Sequence, residues 1–204
     1  MTVPLPPLPP VPEEGYRPGG RSLVDLVDRE QRRLLELADR ATDPDAAPQR
    51  LGEVVEVLTA TVSRHLSAEE QYLFPAVRAA VPDASAAVDR EIGAAGELLT
   101  ALKALAGPAD PALAEVADRI RRHVARAAAL LAPLREVATE AELIRLGNRW
   151  EIAGEAAPTR PHPGTPATPP WNRIVEPAVG VVDKVRDAVT GRPTYPSDLI
   201  PPED

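Results

Sequence analysis

The chain has 204 residues, a formal net charge of −8, 25 prolines, three histidines and no cysteine. The missing thiols exclude disulfide scaffolds, thiol nucleophiles and thiolate metal sites, so any bound metal must be held by nitrogen and oxygen. Its 23 Lys and Arg are interspersed among 31 acids rather than gathered into a patch, and no apolar run reaches the roughly 18 residues a membrane span needs, so neither a nucleic-acid nor a membrane partner is expected.

Most prolines fall before residue 21 or after residue 157, which divides the chain into two proline-rich ends and a middle rich in Ala, Leu, Val, Glu and Arg. Residues 1–21 read as an N-terminal arm. Its run from Pro4 to Pro12 has Pro-x-x-Pro spacing, suited to an aromatic groove on a protein partner, and proline forbids the apolar helix of an export signal. A cytoplasmic protein is the expectation.

Ser22 to Ala41 reads as a first helix, with Ser22 as N-cap. A second starts near Pro48 and carries Leu51, Val54, Val55, Leu58, Val62, His65, Leu66, Glu69, Leu73 and Val77 along one broad stripe. The third spans roughly Ala84 to Ala106 and stops at Gly107-Pro108. The fourth runs from about Pro111 to Ala138 with His123 inward, and Pro75 and Pro133 should kink the helices that carry them. Thr139 to Ala153 adds a short helix, capped by Thr139 with Glu142 three residues on, packed on the outside.

Long helices joined by short loops, with no strand alternation, predict an all-α, antiparallel up-down four-helix bundle over 22–150. Residues 151–204 form a proline-rich tail with a short helix near 174–190. His162, between prolines, reads as a solvated loop residue. Trp150 and Trp171 flank the proline segment and could clamp it, while Tyr72 and Phe74 read as packing residues.

The chemistry concentrates in an internal echo. His65 and His123 each precede a proline by ten residues, at Pro75 and Pro133, and where the first copy has Glu69 and Glu70 the second has Ala127 and Ala128. A His and a Glu four residues apart share a helix face one turn apart, as a pair of metal ligands requires.

This arrangement resembles the hemerythrin family in its HHE cation-binding form, whose pattern is a His on helix 1, His-x-x-x-Glu before an aromatic-Pro or Leu-Pro on helix 2, a His on helix 3 and a second His-x-x-x-Glu on helix 4. The resemblance covers residues 22–150, rests on His65, Glu69, Glu70, Pro75, His123 and Pro133, and extends to tail wording around Thr159–Pro163 and Val182–Asp187 like that of actinobacterial members. By the same alignment Gln31 stands at the helix 1 His, Ile92, within one residue, at the helix 3 His, and Ala127 at the helix 4 Glu. The resemblance therefore implies an incomplete site, with His65, Glu69 and His123 as ligands of at most one divalent ion, iron, manganese or zinc, and Glu70, Glu30 and Glu91 as candidate substitutes. Glu30 and Glu91 look exposed. A di-iron centre handling oxygen or peroxide needs ligands this chain lacks, so catalysis is not expected. The alternative of another class is a metal-free helical interaction module with proline-rich arms.

Overall fold

The structure, a computed structural model, describes residues 18–165 and 172–200, and those residues are helical with no strand. The Pro4–Pro12 run, Pro166–Pro170 and Trp171 lie outside them. Helix α1 spans Leu23–Ala41, α2 Pro48–Ala68, α3 Phe74–Ala80, α4 Ser85–Ala104, α5 Leu113–Val137, α6 Glu140–Ala156 and α7 Asn172–Thr190. The Ser22 hydroxyl accepts from the Val24 amide at 3.2 Å to start α1, and a reciprocal Thr139–Glu142 capping box starts α6.

The second helix differs from its expected course to Val77. Glu69–Leu73 form a π-helical turn between α2 and α3, in which the Phe74 amide reaches back to the Glu69 carbonyl. Pro75 has no amide to offer the carbonyl four residues earlier, and widening the preceding turn relieves that conflict. The extra residue turns Glu69, Glu70 and Gln71 inward in succession, all buried. In α5, by contrast, Pro133 is accommodated within a continuous helix.

Two apolar clusters make the core. One joins Leu34, Leu37, Leu58, Leu66, Ala95, Leu98, Val116 and Ile120; the other joins Leu23, Val27, Leu73, Phe74, Val88, Leu131, Leu134 and Trp150. The chain passes from the second cluster to the first along α1 and α4, and from the first to the second along α2 and α5. Between the clusters lies a polar layer of Glu30 and Gln31 on α1, His65 on α2, Glu69 at the start of the π turn, Glu91 on α4 and His123 on α5.

Helix α2 is buried on nearly every side. Its polar residues tolerate this because Thr59, Thr61 and Ser63 donate to the carbonyls of Val55, Val57 and Thr59 at 2.7–2.8 Å. Helix α6 packs on α1 and α2 and is not merely external, since Trp150 is 1% exposed and reaches the polar layer.

Helix α7 docks on α6 with its polar side inward. Asp183 and Asp187 are buried, accepting from the Thr159 and Arg160 amides, the Thr159 hydroxyl and the Arg160 and Arg192 guanidiniums, while Val181, Val182, Val185 and Val189 face solvent. His162 is bound into this contact by a 3.0 Å bond between its Nε2 and Asp183. It is partly buried, not a free loop residue. No helix among the described residues is long and apolar enough to cross a membrane.

Candidate metal centre

One turn of α2 carries His65 into the seam between the clusters, and the start of the π turn carries Glu69 beside it. Oε1 of Glu69 lies 3.2 Å from Nε2 of His65, and its Oε2 lies 2.9 Å from Nε2 of His123 on α5. All three residues are at most 2% exposed. Their ligand atoms fall within 4.8 Å of one another.

The other ring nitrogen of each histidine faces a second carboxylate. His65 Nδ1 lies 3.0 Å from Glu30 Oε2, and His123 Nδ1 lies 2.7 Å from Glu91 Oε1. An ionised carboxylate only accepts, so both Nδ1 atoms carry protons and donate, which leaves each Nε2 as the atom turned toward Glu69. Glu30 is itself held by the Trp150 indole N–H at 3.0 Å. Glu91 is held by Arg126 Nε at 2.5 Å.

The inner contacts are of another kind. Despite their short separations, His65 Nε2, His123 Nε2 and both oxygens of Glu69 lack an aligned hydrogen-bond partner, although all four atoms are buried. Distance would allow hydrogen bonds; direction does not. Three buried side chains whose ligand atoms lie within 4.8 Å of one another, paired by charge but not by aligned hydrogen bonds, present the donor set a cation requires.

Without an ion the site is a chain of alternating charges. Burial pulls the His65 pKa down, but the Glu69 carboxylate and the bond to Glu30 outweigh it and raise it to about 10. Burial likewise opposes charge on His123, and Glu69 and Glu91 overcome it to give about 9. Burial pushes Glu69 up, yet the two imidazolium charges bring it down to about 2. Glu30 and Glu91 also fall below the carboxylate norm, against burial, through their histidines.

The structure therefore brings His65, Glu69 and His123 together. Glu70 is buried on the same turn but does not join that group. Gln31 is buried with its Nε2 unpartnered, Ile92 packs against the second apolar cluster, and Ala127 is buried and offers no donor atom. Glu30 and Glu91 differ from the expectation in burial and in contact. Glu91 is 2% exposed and Glu30 partly buried, and both contact the outer nitrogens of the histidines instead of converging on the centre.

The sequence reading missed the roles of Trp150 and Arg126. A signal for the outer carboxylates was present, since a Glu immediately precedes the aligned ligand position on both α1 (Glu30-Gln31) and α4 (Glu91-Ile92). Only one helical step separates the inner position from the outer.

Fold and site together define a helical-bundle protein with a buried two-histidine, one-carboxylate centre. The chain belongs to the hemerythrin HHE cation binding domain family, whose model matches residues 22–135. No curated protein and no solved structure matches it.

Proposed function

We propose that this protein is a cation-binding member of its family that holds a single divalent ion through His65 Nε2, His123 Nε2 and the Glu69 carboxylate. The observation that carries this reading is the convergence of three buried residues whose ligand atoms lie within 4.8 Å of one another, with no aligned hydrogen bond between them. The outer shell supports it: each histidine donates its Nδ1 proton to a carboxylate, the arrangement that fixes tautomer and ring orientation in metal-ligating histidines.

A two-histidine, one-carboxylate set suits iron(II), manganese or zinc. Bound there, such an ion would supply Lewis acidity at an open coordination position. The chain's own residues orient the ligands and exclude bulk water from them. Gln31, Ile92 and Ala127 leave a second ion without ligands, so the dinuclear oxygen chemistry of a complete site is not part of this reading.

The alternating passage of α1, α2, α4 and α5 between the two apolar clusters supports an up-down antiparallel four-helix bundle over 22–150. Residues 1–21 and 151–204 are then extensions of that domain. We place the protein in the cytoplasm and assign the Pro-x-x-Pro spacing of its N-terminal arm to recognition by a protein partner.

Elemental analysis of the full chain, expressed with iron, manganese and zinc available, tests the site. One ion per chain, absent from His65→Ala and His123→Ala, is expected. Metal-free protein whose thermal stability is unchanged by any of the three ions overturns the reading in favour of a metal-free helical module.

A further inference from the structure

A cavity of about 280 Å³ opens on the solvent side of Glu30, bounded by α1, α2, α6 and the C-terminal segment at Tyr195-Pro196. Arg29 and Arg33, one turn apart on α1, and Arg64 on α2 line it, with Trp150 and Tyr195 as aromatic walls.

Arg64 is the informative residue. Its guanidinium lies 4.4 Å from the Tyr195 ring centroid, and its Nη2 donates to the Thr194 carbonyl. Its Nη1 is buried with no hydrogen-bond partner, and no carboxylate among the described residues forms an ion pair with it. The opposite charges that act on it, Glu155 and Glu30, both stand beyond ion-pair distance, and a guanidinium withdrawn from water is best met by a planar oxyanion in a bidentate pair.

The surrounding charges leave that role open. Of the acids lining the cavity, Glu151 is engaged by Arg21, and Glu30 accepts from His65 and Trp150. Glu155 and Glu30 act on Arg64, and Glu30 on Arg29, only from a distance, and among the described residues none of Arg29, Arg33 and Arg64 forms an ion pair. The net charge of the chain is −8, so this local excess of positive charge runs against the rest of the molecule.

The geometry points to a binding site for a small organic carboxylate, its anionic head on Arg64 with Arg29 and Arg33 at the mouth, and its flat apolar body against the exposed Tyr195 ring, with the buried Trp150 beneath. Arg64 adjoins His65 in sequence, and Glu30 separates the cavity from the buried centre, so the ligand sits beside that centre without touching Glu69 or Nε2 of either histidine. The site does not depend on a bound cation.

The test is titration of the full chain carrying Trp171→Phe, so that the remaining tryptophan emission reports Trp150. Benzoate and inorganic phosphate are added at constant ionic strength against chloride, with chelator and again with zinc. Saturable benzoate binding in both states is expected, weakened about tenfold or more by Arg64→Gln and several-fold by the exposed pair Arg29→Gln and Arg33→Gln, with Arg32→Gln unchanged. Absence of saturation overturns the site. So does an affinity untouched by both sets of variants. Binding of phosphate without benzoate overturns the carboxylate class, and because the measurement runs without metal, its failure is distinct from failure of the cation reading.

Discussion

His123 Nε2 lies 2.9 Å from Glu69 Oε2, yet no hydrogen aligns between them, while on the other side of the same ring a 2.7 Å bond to Glu91 fixes the proton on Nδ1. The imidazole is thus hydrogen-bonded outward, while inward it meets Glu69 as a charge without an aligned hydrogen bond. His65 repeats the relationship with Glu30 and Glu69, and the two rings meet nearly edge to face at 6.1 Å.

Replacing the shared carboxylate affects both states of the centre. In metal-free protein Glu69→Gln leaves two buried imidazoles without the negative charge between them. Removing one partner of a buried ion pair costs roughly 3–5 kcal/mol. Denaturant unfolding at neutral pH in the presence of chelator measures this, and the same variant is expected to retain no stoichiometric ion.

The metal-free protein has a bell-shaped stability contribution from this layer. His65 and His123 are raised above their ordinary value of 6.5, to about 10 and about 9, so their contribution is complete below pH 6.5 and disappears as pH rises through 9 and 10. Glu69 falls from 4.5 to about 2, so its contribution is complete above 4.5 and disappears as pH falls toward 2. Unfolding free energy measured with chelator from pH 3 to pH 10 should peak between 4.5 and 6.5 and decline on both sides. A profile flat from pH 6.5 to 10 contradicts the charged cluster.

Cation uptake should release protons. Both histidines are cationic at pH 7 in metal-free protein, and a ligating imidazole must present a free electron pair. Binding of one zinc ion is therefore expected to release about two protons, read from the dependence of the calorimetric heat on the ionisation enthalpy of the buffer. Release of none at pH 7 would place the ion elsewhere.

The outer carboxylates are expected to tune affinity without supplying ligand atoms. Glu30→Gln and Glu91→Gln should each weaken metal binding by roughly 10–100-fold while stoichiometry at saturation stays at one. Competition with a chromophoric chelator gives the affinities. Loss of all binding in either variant would make that residue a direct ligand.

Helix α7 offers a test remote from the centre. A Cβ at Gly180 would collide with the Ala156 carbonyl and the Ala157 backbone, so Gly180→Ala should lift α7 from α6 while α1 to α5 stay folded. Faster hydrogen exchange confined to α7 and residues 192–200 is the expected signature.

Helix positions were legible because apolar spacing, the Ser22 cap and the Thr139–Glu142 pair are local signals. The pairing of His65 with Glu69 was legible for the same reason, as four residues on a helix define one face. Glu30, Glu91, Trp150 and Arg126 were not, because their roles depend on which helix lies beside which. A carboxylate adjoining an aligned ligand position reads as an exposed acid until a neighbouring imidazole is placed against it. The π turn also escaped the reading, since Pro75 announces a conflict without saying which turn will absorb it.

That turn has a consequence for how the site can change. The π turn acts as a one-residue insertion, so the helix before it and the helix after it are out of phase by about a quarter of a revolution. His65 is registered by the first helix, whereas Leu73, Phe74 and Val77 are registered by the second, and Glu69 stands at the joint. Substitutions in the turn alter chemistry one side chain at a time. Deleting one residue would restore continuous winding and force a choice, in which either the histidine or the apolar stripe keeps its bearing and the other swings away.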